Sequence, residues 1–296
     1  MQYESSPTKR RRSRRPGLWL IVATALLAML LGVLFVWDNK ATAPEPEQKQ
    51  TIGTSEPAET IEEPTVPVRN LQPLVDTWVK QQSATYSVVV YDVANKQTIG
   101  THLPDREYFA ASLYKLFIAY LALMDFQDGK QDPNEVILGG QTRKQCVDKM
   151  IRSSDSPCGE TMMADMAPAT LNKRVKDLGI AHTRFDGIVT TAQDSTKVLQ
   201  LIADKAHLND ANTEFLRDAL LKQPQMYRNG LAKGAPEAKL FTKVGWNETY
   251  NYHDVGIMQL PDGREYIIAI LSQGNGRSAP IADFAKTIYS ALAKTE

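Results

Sequence analysis

The 296-residue sequence predicts an α+β fold: one antiparallel sheet of about five strands flanked by helices, with an inserted all-helical lobe, behind one N-terminal transmembrane helix. Three observations predict it. An uncharged run from Gly17 to Trp37 follows a basic cluster. Strand-like segments come early and late in the chain, so the sheet is assembled from both ends. Between them, from Gln141 to Leu220, the pattern is helical with short breaks.

Residues 1–16 read as a cytoplasmic tail, with Lys9, Arg10, Arg11, Arg12, Arg14 and Arg15 against the single acid Glu4. Residues 17–37 are long enough to span a bilayer as a helix, which takes about 20 apolar residues. The cations ahead of this run put its N-terminus in the cytoplasm, and Trp19 and Trp37 suit the two interfaces. A cleaved signal peptide is the rival reading, with Ala41-Thr42-Ala43 as the cleavage site, but Pro44 obstructs it. Residues 38–68 are rich in Pro, Glu and Thr and short of large apolar side chains, which makes them a disordered linker. The formal net charge of zero therefore hides +5 in residues 1–16 and −5 in the remainder. The basic patch is a topology signal, and nothing points to nucleic acid. The expected location is the cell membrane, single-pass, with residues 69–296 as an extracytoplasmic domain.

Within that domain, residues 70–82 predict a helix with Leu71, Leu74, Val75 and Trp78 on one side. Thr85 to Val93 is a β-branched and aromatic strand, Asn95-Lys96 turns it, and Gln97 to Leu103 returns as its hairpin partner. Leu113 to Phe126 is apolar nearly all round, the pattern of a helix at the centre of a core. Helices follow at Gln145–Ile151, Cys158–Met166, Thr170–Leu178, Ala192–Lys205 and Asn212–Leu221. Lys239 to Trp246, Tyr252 to Leu260 and Arg264 to Ser272 read as strands, the last two joined by the turn Pro261-Asp262-Gly263. A closing helix sets Ile281, Phe284, Ala285, Ile288 and Leu292 on one face.

The chemistry begins at Ser112-Leu113-Tyr114-Lys115. Serine at i and lysine at i+3 share a helix face, and a desolvated lysine can take the proton of a hydroxyl nucleophile. Ser154-Asp155-Ser156 sits in a break between helices, and Lys243-Val244-Gly245, followed by Trp246, lies on the first of the late strands. The cysteines Cys146 and Cys158 bracket Ser154; outside the cytoplasm a disulfide is favoured over two free thiols. Gly274-Asn275-Gly276 lacks the strand-to-helix context of a dinucleotide loop, and no spacing suggests a metal site or another cofactor.

In this order, the three motifs resemble the S-x-x-K, S-D-N and K-T-G set of class A β-lactamases and penicillin-binding serine D,D-peptidases, over roughly residues 70–296. The resemblance implies a β-lactamase-like fold with Ser112 as nucleophile and Lys115 as its base. Ser154 would relay a proton to the leaving nitrogen, and Lys243 would hold that hydroxyl and the substrate's carboxylate side. The N–H groups of Ser112 and Trp246 would form an oxyanion hole, with Ser156 and Gly245 also on the substrate side and Asp155 as a structural cap. The implied substrates are β-lactams or the D-Ala-D-Ala ends of peptidoglycan stem peptides.

The departures narrow this. Ser156 replaces an asparagine amide, and Val244 replaces a threonine hydroxyl that would contact a substrate carboxylate. Ser112 and Ser154 are only 42 residues apart, which implies a trimmed helical lobe. No glutamate occurs between Glu160 and Glu214, so the omega-loop base of class A enzymes is missing; Asp186 is the nearest carboxylate, at a structural position. Acylation without efficient hydrolysis follows. The alternatives are a slow D,D-peptidase or esterase and, with Val244 and Ser156 in mind, a non-catalytic envelope-binding module. His253 beside Asp254 raises a Ser-His-Asp triad that no G-x-S-x-G turn supports; Tyr250 and Tyr252 read as sheet or rim residues, and His102, His182 and His207 as surface positions.

Overall fold

The computed structural model describes residues 69–247, 251–274 and 277–294. The tail, anchor and linker expected at 1–16, 17–37 and 38–68 lie outside the described residues, as does Tyr250. No helix among the described residues is long and apolar enough to cross a membrane.

Helix α1 (Gln72–Lys80) starts with a proline in its first turn, where an N–H has no helical partner anyway, and buries Val75 and Trp78. Strands β1 (Thr85–Asp92) and β2 (Gln97–His102) form the expected antiparallel hairpin. A two-residue strand β3 (Tyr108–Phe109) leads into a 3-10 turn (Ala111–Leu113) and then into α2 (Tyr114–Gln127). Helix α2 is buried from Tyr114 through Leu123, as its all-round apolar sequence requires. Its one deep carboxylate, Asp125, is matched by Arg174 at 2.7 and 2.8 Å.

A small ladder of β4 (Val136–Leu138) and β5 (Gln141–Thr142) precedes the helical lobe. The lobe holds α3 (Arg143–Arg152), α4 (Ser156–Met166) and α5 (Pro168–Asp177). Strand β6 (Val189–Thr190) pairs with β3, and α6 (Ala192–Ala203) starts on Thr191 as its N-cap. After α7 (Asp210–Leu221) and a short α8 (Leu231–Gly234) come β7 (Lys239–Asn247), β8 (Asn251–Gln259), β9 (Glu265–Gln273) and α9 (Ala279–Leu292).

The five long strands form one antiparallel sheet in the order β2-β1-β9-β8-β7, so the early and late strands of the described residues meet at β1 and β9. Each face has its own core. Val89, Phe241, Val255, Ile257 and Ala269 face α2 and the helical lobe, while Val88, Val90, Val244, Ile268 and Ile270 face α1, α8 and α9. Strand alternation sorts these residues: odd positions of β7 from Phe241 to Gly245 look toward α2, even ones away from it. Lys243 is thereby delivered to the α2 side.

Candidate active site

Ser112 lies in the 3-10 turn at the head of α2, partly exposed, with Lys115 fully buried one turn later. Lys115 Nζ donates to Ser112 Oγ at 3.0 Å, to the Ser154 carbonyl at 2.6 Å and to Ser156 Oγ at 3.2 Å. Across the site, Lys243 Nζ donates to Ser154 Oγ at 2.9 Å and to its own strand at Val244 O, 2.8 Å. The three motifs therefore converge on one hydrogen-bonded set. Burial lowers Lys115 to about 8, against opposing pulls from Asp155 and Glu160. Lys243 is pushed well below the usual lysine range, by burial first and then by the charge of Lys115, with Asp254 opposing.

The backbone around Ser112 is held under strain. Ala111, just before Ser112, has φ of 45°, and Ser154 has φ of 56°. Each such non-glycine conformation costs about 1–3 kcal/mol and persists only where its surroundings enforce it. Those surroundings are visible. Ala110 N donates to Ile188 O at 2.7 Å, and the Phe109 carbonyl meets His253 Nε2 at 2.9 Å and Asn251 Nδ2 at 3.3 Å. Gly245 presses on the same turn: a Cβ there would stand 2.8 Å from Ala110 O and 3.1 Å from Ser112 N. Only glycine lets β7 approach the Ser112 turn so closely.

Ser154 is presented between α3 and α4. Asp155 caps α4 by accepting from Cys158 N at 2.8 Å, which is the structural place expected for it. Cys146 on α3 and Cys158 on α4 are joined in a disulfide, with Cα atoms 4.9 Å apart. Gly159 on α4 was not singled out in the sequence, yet a Cβ on it would lie 2.8 Å from Lys115 Cε and 2.8 Å from the Tyr114 hydroxyl. An isolated glycine inside a helical pattern was the available signal.

Other residues land differently from the sequence reading. Val244 is fully buried in the core behind the sheet, so its side chain does not face the groove and its lost hydroxyl takes nothing from it. The Trp246 ring likewise packs with Tyr227 and Tyr252 behind the sheet, leaving the backbone N–H as its possible contribution. Tyr252 is a buried sheet residue. Asp186 is exposed and accepts from Asn172 Nδ2 at 3.3 Å. No carboxylate among the described residues hydrogen-bonds to Ser112, Lys115 or Lys243.

His253 and Asp254, neighbours on β8, point to opposite faces and cannot form a triad. His253 accepts from Ser272 N at Nδ1, which leaves the proton on Nε2 for the Phe109 carbonyl; burial drives the ring down to about 4. Asp254 accepts from Leu231 N at 2.8 Å, and burial raises it to about 8.

The model of the beta-lactamase enzyme family matches residues 69–292. The chain belongs to the beta-lactamase enzyme family. Solved structures with the same fold include PBP-A, at 18% identity and TM-score 0.70, covering 78% of this chain and 100% of that one. A beta-lactamase from Chitinophaga pinensis DSM 2588 aligns at 15% identity and TM-score 0.69, covering 74% and 98%. A PBP-A mutant determined as an acyl-enzyme complex with penicillin G aligns at 17% identity and TM-score 0.69, covering 78% and 100%. No curated relative matches. Identities this low establish the shared fold; the beta-lactamase-family site of this chain rests on its own geometry.

Proposed function

We propose that this beta-lactamase-family protein is a membrane-anchored, extracytoplasmic serine hydrolase that works through an acyl-Ser112 intermediate. Its substrates are β-lactams or the D-Ala-D-Ala-like ends of wall peptides, and release of the acyl group is slow. The observation that carries this reading is the three-way engagement of Lys115. An ammonium has three N–H donors, and Lys115 directs them at Ser112 Oγ, Ser154 O and Ser156 Oγ. On losing one proton, the amine keeps two donors for Ser154 and Ser156 and turns its lone pair to Ser112. It is then placed to take the Ser112 proton as Oγ attacks a carbonyl carbon.

Charge developing on the carbonyl oxygen is received by the N–H groups of Ser112 and Trp246, on the two backbones that Gly245 brings together. The leaving nitrogen takes its proton from Ser154 Oγ, whose own hydrogen bond to Lys243 Nζ supplies a path for its return. The buried Lys243 Nζ behind Ser154 also offers a donor that suits a substrate carboxylate. Hydrolysis is the weak step, because Asp186 is turned to Asn172 and no other acid stands in the hairpin where Arg184 and Val189 pair. The penicillin acyl-enzyme of the PBP-A mutant is consistent with this chemistry on the shared fold. Ser156 retains the contact to Lys115, and Val244 faces away from the groove, so neither favours a non-catalytic module.

Fluorescent penicillin tests the proposal on the full chain in detergent. A covalent band that lasts for hours and is absent in Ser112→Ala is the expected result. Absence of a band together with no loss of a chromogenic cephalosporin would refute the β-lactam reading.

A further inference from the structure

His253 lies directly across the β7–β8 pair from Gly245, and its side chain takes no part in the proton transfers above. Residues opposite each other in an antiparallel pair share a face, so the imidazole stands beside the space left by the missing Gly245 side chain, where the Ser112 turn rests. The ring is fully buried and meets Tyr108 edge-on, with centroids 5.9 Å apart. Both of its nitrogens are engaged. Nδ1 accepts from Ser272 N on β9 at 3.1 Å, which leaves the proton on Nε2, and Nε2 donates it to the Phe109 carbonyl at 2.9 Å. Phe109 is three residues ahead of Ser112. The two N–H groups assigned to the oxyanion hole belong to segments remote in the chain, Ser112 N to the turn and Trp246 N to β7. Gly245 sets how closely these segments can approach, but a missing side chain attracts nothing. The bond from His253 to Phe109 is what ties the turn to the sheet at that point.

We propose that His253 is a positioning residue of the oxyanion hole: its Nε2–H bond to the Phe109 carbonyl fixes the Ser112 turn, and with it Ser112 N, relative to Trp246 N on β7. This rests on the acyl-serine reading above. His253 touches no reacting atom and acts only through the backbone from Phe109 to Ser112. The turn needs such a tether, because a non-glycine residue at φ of 45°, as at Ala111, relaxes when its restraints are removed. Oxyanion donors stabilise a developing charge only when they are held in place before it forms, so a small displacement of Ser112 N weakens the covalent step. Asn251 Nδ2 reaches the same carbonyl at a longer 3.3 Å, so loss of the imidazole bond loosens the turn without freeing it.

Substitution can separate the two ends of the ring. The amide in His253→Gln reaches as far as Nε2 and can donate to Phe109; that in His253→Asn reaches only as far as Nδ1 and can accept from Ser272 N. Uptake of fluorescent penicillin by the full-length proteins, followed over a range of concentrations, resolves reversible capture from the covalent step, with Ser112→Ala as control. His253→Asn is expected to slow the covalent step at least about tenfold while capture stays within about threefold of wild type, and His253→Gln is expected to recover most of the lost rate. A purely structural role gives the opposite order, because His253→Gln forfeits the buried acceptor of Ser272 N. Equal rates in all three proteins, equal losses in the two variants, or a larger loss in His253→Gln would each overturn the assignment while leaving acylation intact. A wild type that takes no label refutes the acyl-serine reading, and the role of His253 with it.

Discussion

At the scale of single residues, the site is governed by what burial does to ionisable groups. In the proposed mechanism Lys115 is the base beside Ser112, and an exposed lysine would hold its proton at neutral pH. Burial brings it to about 8, so the neutral form is accessible near physiological pH. The rate of acylation by a β-lactam is therefore expected to rise with pH through about 8 and then level off. Stopped-flow labelling across pH 6 to 10 checks this; a flat profile would remove Lys115 from the role of base. His253 follows the opposite logic, since it works by staying neutral. Its ring accepts from Ser272 N and donates to the carbonyl ahead of the nucleophile, and a second proton would set N–H against N–H. The folded value of about 4 lies below the ordinary 6.5, so between those pH values the unfolded chain binds more protons. Stability from this group is complete above pH 6.5 and is lost as pH falls toward 4. Asp254, raised from 3.8 to about 8, acts with the opposite sign across the whole of that range, so the comparison has to be made against a variant. Urea midpoints of His253→Gln should fall less steeply than wild type from pH 6.5 to 4.

At the scale of elements, the link between α3 and α4 decides where Ser154 stands. The turn contains one strained residue and one capping aspartate, and the Cys146–Cys158 disulfide closes the loop around it. A loop of this length constrains the unfolded chain by about 3 kcal/mol. Cys146→Ser with Cys158→Ser is expected to lower stability by about that amount in chemical denaturation, and to slow penicillin labelling. An unchanged denaturation midpoint would show that the bond contributes nothing beyond the packing of the two helices. Strand β7 makes a comparable contribution. Its face toward α2 carries Gly245, whose missing Cβ leaves room for the Ser112 turn.

At the scale of the whole molecule, the proposed anchor at 17–37 and linker at 38–68 would tie a hydrolase domain to the outer side of a membrane. Such a tether restricts the enzyme to substrates within reach of the bilayer, which suits wall peptides. The full chain is expected to sediment with membranes and to resist extraction by salt or carbonate, while a chain beginning at residue 69 is released. Recovery in the soluble fraction of a chain shortened at about Ala43 would favour the cleaved signal peptide.

Much of this protein was legible without coordinates because its signals are local. The strand and helix segments were found within a few residues: Leu113 to Phe126 is wrapped in apolar side chains, and Ile281, Phe284, Ala285, Ile288 and Leu292 all face the core. The elements missed, β3 to β6 and α8, are two to four residues long and exist only because neighbours hold them. Helix spacing pairs Ser112 with Lys115, while Ser154 and Lys243 are nominated by the resemblance of their motifs to the S-x-x-K, S-D-N and K-T-G set. The side on which Val244 and Trp246 lie, the strain at Ala111, and the contacts of Gly159, Gly245 and His253 were decided by the tertiary structure. Those properties come from contacts between segments remote in the chain, and burial, which sets the protonation of both lysines, exists only once those segments have packed.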